Sequence, residues 1–271
     1  MTLPIDLVLV RHGQSEGNLA KRRSEEGDHS AYTAEFLSRH SASFRLTPKG
    51  RAQAECAGLF IREEFFKGVC GFDRYITSDY LRAMETAARL DLPGAEWFTD
   101  PYLTERDWGE LDSSPQDERE ERFGDALRRR EVEPFFWRPP GGERFAELCL
   151  RVDRVLMTLH NECSDMRVII VCHGEVIRAF QVRLERMTQA RFKELTFSLI
   201  SEDRIHNCQI VHYTRRDPDG KRKLGKYMGK VRWIRPTDSP ITTSGWRVIE
   251  RPRYTNSDLL EIVQHVPAMV T

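Results

Sequence analysis

The sequence lacks long apolar runs, and neither sign of charge is in excess. Its apolar runs stay well below the roughly 18 residues that a membrane-spanning helix needs. Lys and Arg together number 42, as do Asp and Glu, so no net field favours nucleic acid or an anionic membrane. Basic clusters such as 21–23 and 128–130 are typical of solvated faces in so charged a chain. We therefore expect neither a nucleic-acid partner nor a membrane partner.

The cysteine spacing is not that of a metal or redox motif. The six cysteines include no C-x-x-C pair, and several lie in apolar stretches. The start of the sequence also lacks the basic flank and apolar core of a signal peptide. Reduced thiols without such a signal predict a cytoplasmic protein. A complete P-loop motif, G-x-x-x-x-G-K followed by Ser or Thr, is absent, so we do not expect a nucleoside triphosphatase.

Short apolar runs alternate with helical patterns along the chain. The unbroken runs at 7–10 and 168–172 are typical of strands buried on both faces of a parallel sheet. Further strands are predicted at 75–77, 96–98 and 208–213, and a turn signal at 217–220 predicts a hairpin arm within 222–234. Helices are predicted at 48–66, 78–90, 117–131, 145–159 and 174–184, and loops or short helices at 19–45. This order predicts an α/β fold, a three-layer α/β/α sandwich with a mostly parallel central sheet.

The two clearest strand signals each end in a His-Gly pair. His12-Gly13 closes the first run and His173-Gly174 closes the second. The carboxyl ends of parallel strands meet at one edge of a sheet, which is where ligands bind in such folds. We therefore expect both imidazoles in a common site.

Residues 11–18, Arg-His-Gly-Gln-Ser-Glu-Gly-Asn, resemble the signature of the histidine phosphatase superfamily, in its phosphoglycerate-mutase-like branch. Four further pieces resemble the family in order: Leu46-Thr47-Pro48-Lys49-Gly50, Ser78-Asp79 with Arg82-Ala83 and Glu85-Thr86-Ala87, Leu103-Thr104-Glu105 with Gly109, and His173-Gly174 with Arg178. Together these pieces lie within residues 5–213. We expect a catalytic domain at 1–234 and a C-terminal extension at 235–271.

The resemblance implies specific roles for these residues. His12 would be the nucleophile that forms a phosphohistidine, and Glu105 would be the general acid that protonates the leaving group. His173 would donate to the phosphoryl oxygens and stabilise the transition state. The remaining phosphate-binding groups would be Arg11, Asn18, Arg82 and the backbone of Gly174.

The same residue types suit a phosphomonoester on chemical grounds. Such a group is close to a dianion at neutral pH, and an arginine fork stays charged while donating two hydrogen bonds to it. A neutral imidazole keeps a lone pair near pH 7, because its ordinary pKa is about 6.5. Arginines and imidazoles take the place of magnesium here, so we expect no metal and no cofactor.

Three departures from the family pattern bear on the substrate. The insert at 19–45, with Tyr32, Phe36, Arg39, His40 and Phe44, forms either a wall or lid over the site or a loop on its far side. Arg144 stands where a Gly-Glu-Ser element has serine. Glu175 follows His173-Gly174, and its carboxylate would disfavour a bound dianion unless it faces away or pairs with Arg178.

The combined interpretation is a phosphatase that hydrolyses a phosphomonoester of a small phosphorylated metabolite through a phosphohistidine. Phosphoglycerate mutase-type transfer is one alternative, and a non-catalytic module that binds a phosphorylated ligand is another. Mutases that depend on bisphosphoglycerate carry a longer stretch than the one between Glu105 and Gly142, which favours hydrolysis. The substrate and the oligomeric state are left open.

Overall fold

One sheet organises the chain, as seen in a computed structural model that describes residues 2–67, 71–112, 114–217 and 224–269. Within these residues the strand order is β3-β2-β4-β1-β5-β6-β7, and β8 also pairs with β6. The strands are β1 (Asp6–Arg11), β2 (Arg74–Thr77), β3 (Trp97–Thr99), β4 (Arg167–Cys172), β5 (Ile210–Thr214), β6 (Lys230–Arg235), β7 (Thr242–Thr243) and β8 (Arg247–Val248). β1 to β4 are mutually parallel, and the sheet continues antiparallel from β5 onward.

Helices cover both faces of this sheet. The helices in the described residues are α1 (Glu16–Glu25), α2 (Ala34–Ser38), α3 (Pro48–Phe65), α4 (Leu81–Arg89), α5 (Gln116–Val132), α6 (Phe145–Glu162), α7 (Gly174–Glu185), α8 (Gln189–Phe197) and α9 (Asn256–Gln264), and those that pack on the two faces include α6 and α7 on one side and α3 and α4 on the other. Successive side chains of β1 point to opposite cores. Leu7 and Leu9 pack with residues of α6 and α7, whereas Val8 and Val10 pack with residues of α3 and α4. The predicted three-layer α/β/α sandwich is therefore confirmed.

Local sequence signals explain where the helices begin. Thr47 caps α3 by accepting from the backbone N–H of Gly50, and Pro48 occupies the first helical position. α4 begins later than predicted, because Tyr80 and not Ser78 is its N-cap residue. The predicted turn at 217–220 lies largely outside the described residues, as does the basic segment 221–223. β6 still pairs antiparallel with β5, as the hairpin prediction required.

Residues beyond β6 add to the edge of the sheet before α9 begins. Both β7 and β8 pair antiparallel with β6, and the Trp246 ring lies 4.9 Å from the His212 ring. The side chains of α9 are exposed along its whole length. No helix in the described part of the chain combines the length and apolarity needed to cross a membrane.

Candidate active site

The carboxyl ends of β1 and β4 bring two histidines together. Arg11 pairs with Cys172 at the last position of the parallel ladder, so His12 and His173 leave the sheet side by side. Their ring centroids are 5.1 Å apart in an edge-to-face arrangement. Both side chains are almost completely buried, at 1% and 0% exposed. The two rings thus occupy one site, as the strand pattern predicted.

Close backbone packing fixes this strand end. A Cβ on Gly13 would lie 2.3 Å from the carbonyl oxygen of Gly50 at the start of α3, so a side chain is excluded there. On the other side, the Asn207 amide donates to the His12 carbonyl at 3.0 Å. The backbone that carries His12 is therefore held from both directions.

Hydrogen bonds set the tautomer of His12. Its Nδ1 lies 2.7 Å from the carbonyl oxygen of Gly13, which can only accept, so Nδ1 carries the proton. Nε2 keeps the lone pair and accepts from Nε of Arg82 at 3.3 Å. Burial holds the pKa of His12 well below its usual range, and the charges of Arg82 and Arg11 lower this pKa further. A buried, neutral imidazole with a lone pair on Nε2 is a competent nucleophile at neutral pH.

His173 is oriented by residues that follow β2. Its Nε2 and the Ser78 hydroxyl are 2.9 Å apart, and its ring lies 5.2 Å from the Tyr80 ring. Burial, followed by the charge of Arg82, holds the pKa of His173 well below its ordinary value. Its Nδ1 is buried without a hydrogen-bond partner among the described residues, as is Nε of Arg11. Because such orphaned groups are rare, their meeting at one strand edge fits a site for an anion.

Two arginines lie beside the histidines. Arg11 donates to the carbonyl of Ile205, and Arg82, in the first turn of α4, donates to the carbonyl of Ser41 at 2.6 Å. A Cβ on Gly174 would lie 3.5 Å from Nε of Arg11, which places that guanidinium beside the first turn of α7. The arginines therefore supply positive charge beside Nε2 of His12.

Asn18 has the capping role that its position in α1 requires. Its Oδ1 accepts from the Ser15 backbone at 3.3 Å and from the Asn207 amide at 3.0 Å. Both bonds use the carbonyl oxygen, and Asn18 also lines the cavity in front of His12. Its Nδ2 group is then the part of the side chain that can donate to a phosphate.

Glu105 lines this cavity, and its carboxyl group has a raised pKa. Burial raises its pKa to about 7, and the nearby Glu175 acts in the same direction, whereas Arg82 and Arg11 oppose it. The carboxylate accepts one bond, from the backbone N–H of Arg106 at 3.0 Å. A carboxyl group with such a pKa is suited to give and take protons near neutral pH.

Glu175 pairs with a partner that the sequence did not indicate. Its carboxylate lies 3.6 Å from Nη1 of Arg106. Among the described residues it forms no ion pair with Arg178, the partner expected from the sequence, although its charge acts to raise the pKa of Arg178 against the lowering by burial. Arg178 instead donates to the Gln181 side chain and to the Asp203 carbonyl. Arg106 is only 3% exposed, and its guanidinium lies 4.6 Å from the centre of the Trp108 ring. The negative charge of Glu175 is thus partly compensated within the site.

The predicted insert forms one wall of the cavity, which has a volume of about 870 Å³. Tyr32, Phe36 and Phe44 line it, so the far-side alternative is wrong for these residues. Arg39 and His40 do not line the cavity: Arg39 forms an ion pair with Glu35, and the His40 ring accepts from the backbone of Ala42. α5 and the segment after α8 also line the cavity.

Two residues in motif-like positions serve as helix caps. Arg144, in place of a family serine, precedes α6, and its backbone N–H donates to Glu147 at 2.9 Å. Gly13 to Gly17 also match the G-x-S-x-G pattern of serine hydrolases. Ser15 accepts from the Asn18 backbone at 3.2 Å as the N-cap of α1. The hydroxyl of Ser15 therefore serves as a helix cap.

Fold and site together define an α/β/α protein with two histidines and two arginines beside a cavity at the carboxyl edge of its sheet. The sequence model of the histidine phosphatase superfamily (branch 1) matches residues 7–218, so the chain belongs to that superfamily.

Known relatives carry out more than one reaction. A 2,3-bisphosphoglycerate-dependent phosphoglycerate mutase of Methylobacterium radiotolerans is 32% identical over 195 residues, which cover 70% of this chain and 83% of that protein. The alpha-ribazole phosphatase of Shigella flexneri has a TM-score of 0.59 at 20% identity, over 78% of this chain and 91% of that one. A mycobacterial glucosyl-3-phosphoglycerate phosphatase gives a TM-score of 0.59 at 21% identity, over 77% and 92% of the two chains. The sequence relative is thus named as a mutase, and solved structures of the same fold are named as phosphatases.

Proposed function

We propose that this protein is a phosphatase that hydrolyses the phosphomonoester of a small phosphorylated metabolite through a phosphohistidine on His12. The observation that carries the proposal is the state of His12, whose Nδ1 is tied to the Gly13 carbonyl at 2.7 Å. This bond leaves Nε2 without a proton, so its lone pair accepts from Nε of Arg82 at 3.3 Å, and the His173 ring centroid lies 5.1 Å from that of His12. Glu105, with a pKa raised to about 7, supplies a proton in the same cavity.

The first step transfers the phosphoryl group to the protein. Nε2 of His12 attacks phosphorus, and the bond between phosphorus and the ester oxygen breaks. Protonated Glu105 gives its proton to the departing oxygen, so the alcohol leaves neutral. Arg11, Arg82 and Nδ1 of His173 donate to the three phosphoryl oxygens as negative charge builds up on them. Asn18 and the backbone N–H of Gly174 add further donors.

The second step returns the protein to its starting state. A water molecule attacks phosphorus while the Glu105 carboxylate takes one of its protons. The bond from phosphorus to Nε2 of His12 breaks, and inorganic phosphate leaves. His12 is then neutral and Glu105 is protonated, as at the start. The charges that develop in this cycle are met by side-chain and backbone groups of the chain itself, which supports metal-independent chemistry.

Phosphoglycerate mutase activity is the second candidate, favoured by the names of the sequence relatives. In that reaction the phosphohistidine returns its phosphoryl group to a hydroxyl of the substrate and not to water. One feature supports hydrolysis instead: the cavity of about 870 Å³ accommodates a substrate together with water.

A phosphate-release screen over a panel of phosphorylated metabolites tests the proposal. We expect wild-type protein to release phosphate in the presence of EDTA, and His12→Ala to release none while still binding phosphate. His160→Ala is the matched control, because His160 is an exposed histidine on α6. Isomerisation of phosphoglycerate faster than phosphate release would favour the mutase. Undiminished release by His12→Ala would refute the assigned nucleophile.

A further inference from the structure

A second cavity lies next to the active-site cavity and is formed partly by the C-terminal extension. Its volume is about 610 Å³, which is within the range of small-molecule sites. Residues of α7 and α8 line it together with residues of β6, β7 and β8. We call it the C-terminal cavity. None of the groups assigned to the two chemical steps lines it, so it requires a separate explanation.

Two buried glutamines present unused donors to the C-terminal cavity. Gln181 is 7% exposed, Gln209 is 3% exposed, and both line the cavity. Each carboxamide is fixed through its oxygen: Oε1 of Gln181 accepts from Arg178 at 2.6 Å, and Oε1 of Gln209 accepts from the His206 backbone at 2.7 Å. Nε2 of each has no acceptor among the described residues, yet neither nitrogen is completely enclosed. These N–H groups therefore face the cavity and can donate to a bound acceptor.

The charges around the C-terminal cavity balance one another. Four arginines and four carboxylates of the described residues line it. Three of the arginines have ion-pair partners: Arg247 with Glu185 at 2.7 Å, Arg191 with Glu194 at 2.9 Å and Arg235 with Asp238 at 3.0 Å. The fourth, Arg178, donates to a carboxamide and to a backbone carbonyl. The cavity therefore offers no free cation for an anionic ligand.

The carboxylates of the cavity do not form a cation site either. Glu185 accepts from the Tyr213 hydroxyl at 3.0 Å in addition to its arginine. Asp203 accepts from the Ser198 hydroxyl at 2.6 Å. Glu202 and Glu250 are exposed, so water screens their charges. The unmet groups inside the cavity are thus neutral amide donors, which fit an uncharged acceptor.

We propose that the C-terminal cavity binds a small uncharged molecule that carries a carbonyl group on an apolar ring. The carbonyl oxygen accepts from Nε2 of Gln181 and of Gln209, since it has two lone pairs. The ring packs against the apolar part of the lining, which is supplied by Met187, Leu195 and Trp233. This site is separate from His12, so the inference does not depend on the proposed function.

Occupancy of the C-terminal cavity reaches the catalytic strand end through Gln209. The backbone carbonyl of Gln209 accepts from the Arg11 N–H at 3.1 Å, and the N–H of Cys208 donates to the Arg11 carbonyl at 3.1 Å. Asn207, one residue further back, donates to the carbonyl of His12. A molecule held by the Gln209 side chain therefore acts on the backbone that carries Arg11 and His12.

NMR titration of the wild-type protein tests this proposal without turnover. The probes are nicotinamide and benzamide, their acids nicotinate and benzoate, and 3-methylpyridine, which lacks the carbonyl group. We expect at least one of the two amides to shift the Nε2–H signals of Gln181 and Gln209 and the backbone N–H signal of Arg11. One hydrogen bond corresponds to about fivefold in affinity, so that amide should bind at least about fivefold more tightly than 3-methylpyridine. The acids should bind more weakly, because a carboxylate would lose hydration without gaining a free cation.

Glutamine variants then locate the effect. Gln181→Met and Gln209→Met keep the length of the side chain and remove the donor, so each should weaken amide binding about fivefold. Dispersed backbone signals would show that each variant is folded. Gln264→Met is the matched control, because Gln264 is an exposed glutamine on α9, and it should bind as the wild type does.

Three outcomes would overturn the site: neither amide moves the glutamine signals, the acids bind as tightly as the amides, or both folded glutamine variants keep wild-type affinity. Glutamine signals that move while the Arg11 signal stays in place would refute the connection to the strand end. None of these outcomes bears on the phosphohistidine proposal, which the phosphate-release screen tests separately.

Discussion

Replacing Glu105 with glutamine should stabilise the folded protein and lower its catalytic activity at the same time. The carboxyl group is buried, which raises its pKa to about 7 from an ordinary value of 4.5. The folded state therefore binds a proton more tightly than the unfolded state does. Stability contributed by this proton is fully present below about pH 4.5 and is lost as the pH rises through about 7. A neutral glutamine avoids that loss.

The size of the effect follows from the two pKa values. Each pH unit between 4.5 and about 7 corresponds to about 1.36 kcal/mol, so ionising Glu105 in the folded state costs about 3 kcal/mol at pH 8. At pH 5 the same calculation gives less than about 1 kcal/mol. Glutamine retains the oxygen that accepts from the Arg106 backbone. We therefore expect Glu105→Gln to be more stable than wild type by about 3 kcal/mol at pH 8 and by under about 1 kcal/mol at pH 5.

Urea unfolding at the two pH values measures this difference. Glu133→Gln, at an exposed glutamate after α5, is the control and should give no pH-dependent gain. Turnover of an alkyl phosphate should fall by about 10²- to 10⁴-fold in Glu105→Gln. Turnover of p-nitrophenyl phosphate, whose leaving group needs little protonation, should fall much less. A gain in stability that is equal at both pH values, or a loss at pH 8, would refute the reasoning.

Three further substitutions follow from the same contacts. Glu175→Gln removes a negative charge that raises the pKa of Glu105. The alkaline limb of the pH–rate profile should therefore move to lower pH. An unchanged alkaline limb would contradict this coupling between the two carboxyl groups. Ser78→Ala removes the hydroxyl that lies 2.9 Å from Nε2 of His173. One such hydrogen bond is worth about 1 kcal/mol, so kcat should fall about fivefold. Ser78→Thr should restore kcat, whereas Ser78→Val should not. Gly58→Ala places a Cβ 2.2 Å from the backbone carbonyl oxygen of Leu90, just after α4. The free energy of unfolding, measured by chemical denaturation, should fall by about 1–3 kcal/mol. An unchanged denaturation midpoint would disprove the clash.

The parallel core of the fold could be predicted because its signals are local. Runs such as 168–172 are apolar on both faces, and only strands covered by helices on both sides bury such runs. The His-Gly pairs at the ends of two such strands then placed both imidazoles at one edge. The start of α3 at Thr47-Pro48 could likewise be predicted, since an N-cap residue and a proline at the first helical position both act within the first turn of the helix.

The partners of the site residues could not be predicted in the same way. Ser78 was predicted to begin a helix, yet it lies before α4 and its hydroxyl contacts His173. Glu175 pairs with Arg106, a residue that the sequence analysis passed over although it directly follows Glu105. Asn207, which holds the carbonyl of His12, carries no motif at all. Such contacts depend on how distant segments pack, and charged side chains with several neighbours have no local rule that selects one partner.

The measurement that tests the central claim most directly is identification of the phosphorylated residue during turnover. Protein quenched in base within one catalytic cycle should carry a single acid-labile, base-stable phosphoryl group on the peptide containing His12, and mass spectrometry should find none on His12→Ala. A phosphoryl group on any other residue, or steady hydrolysis with no labelled protein, would contradict the account.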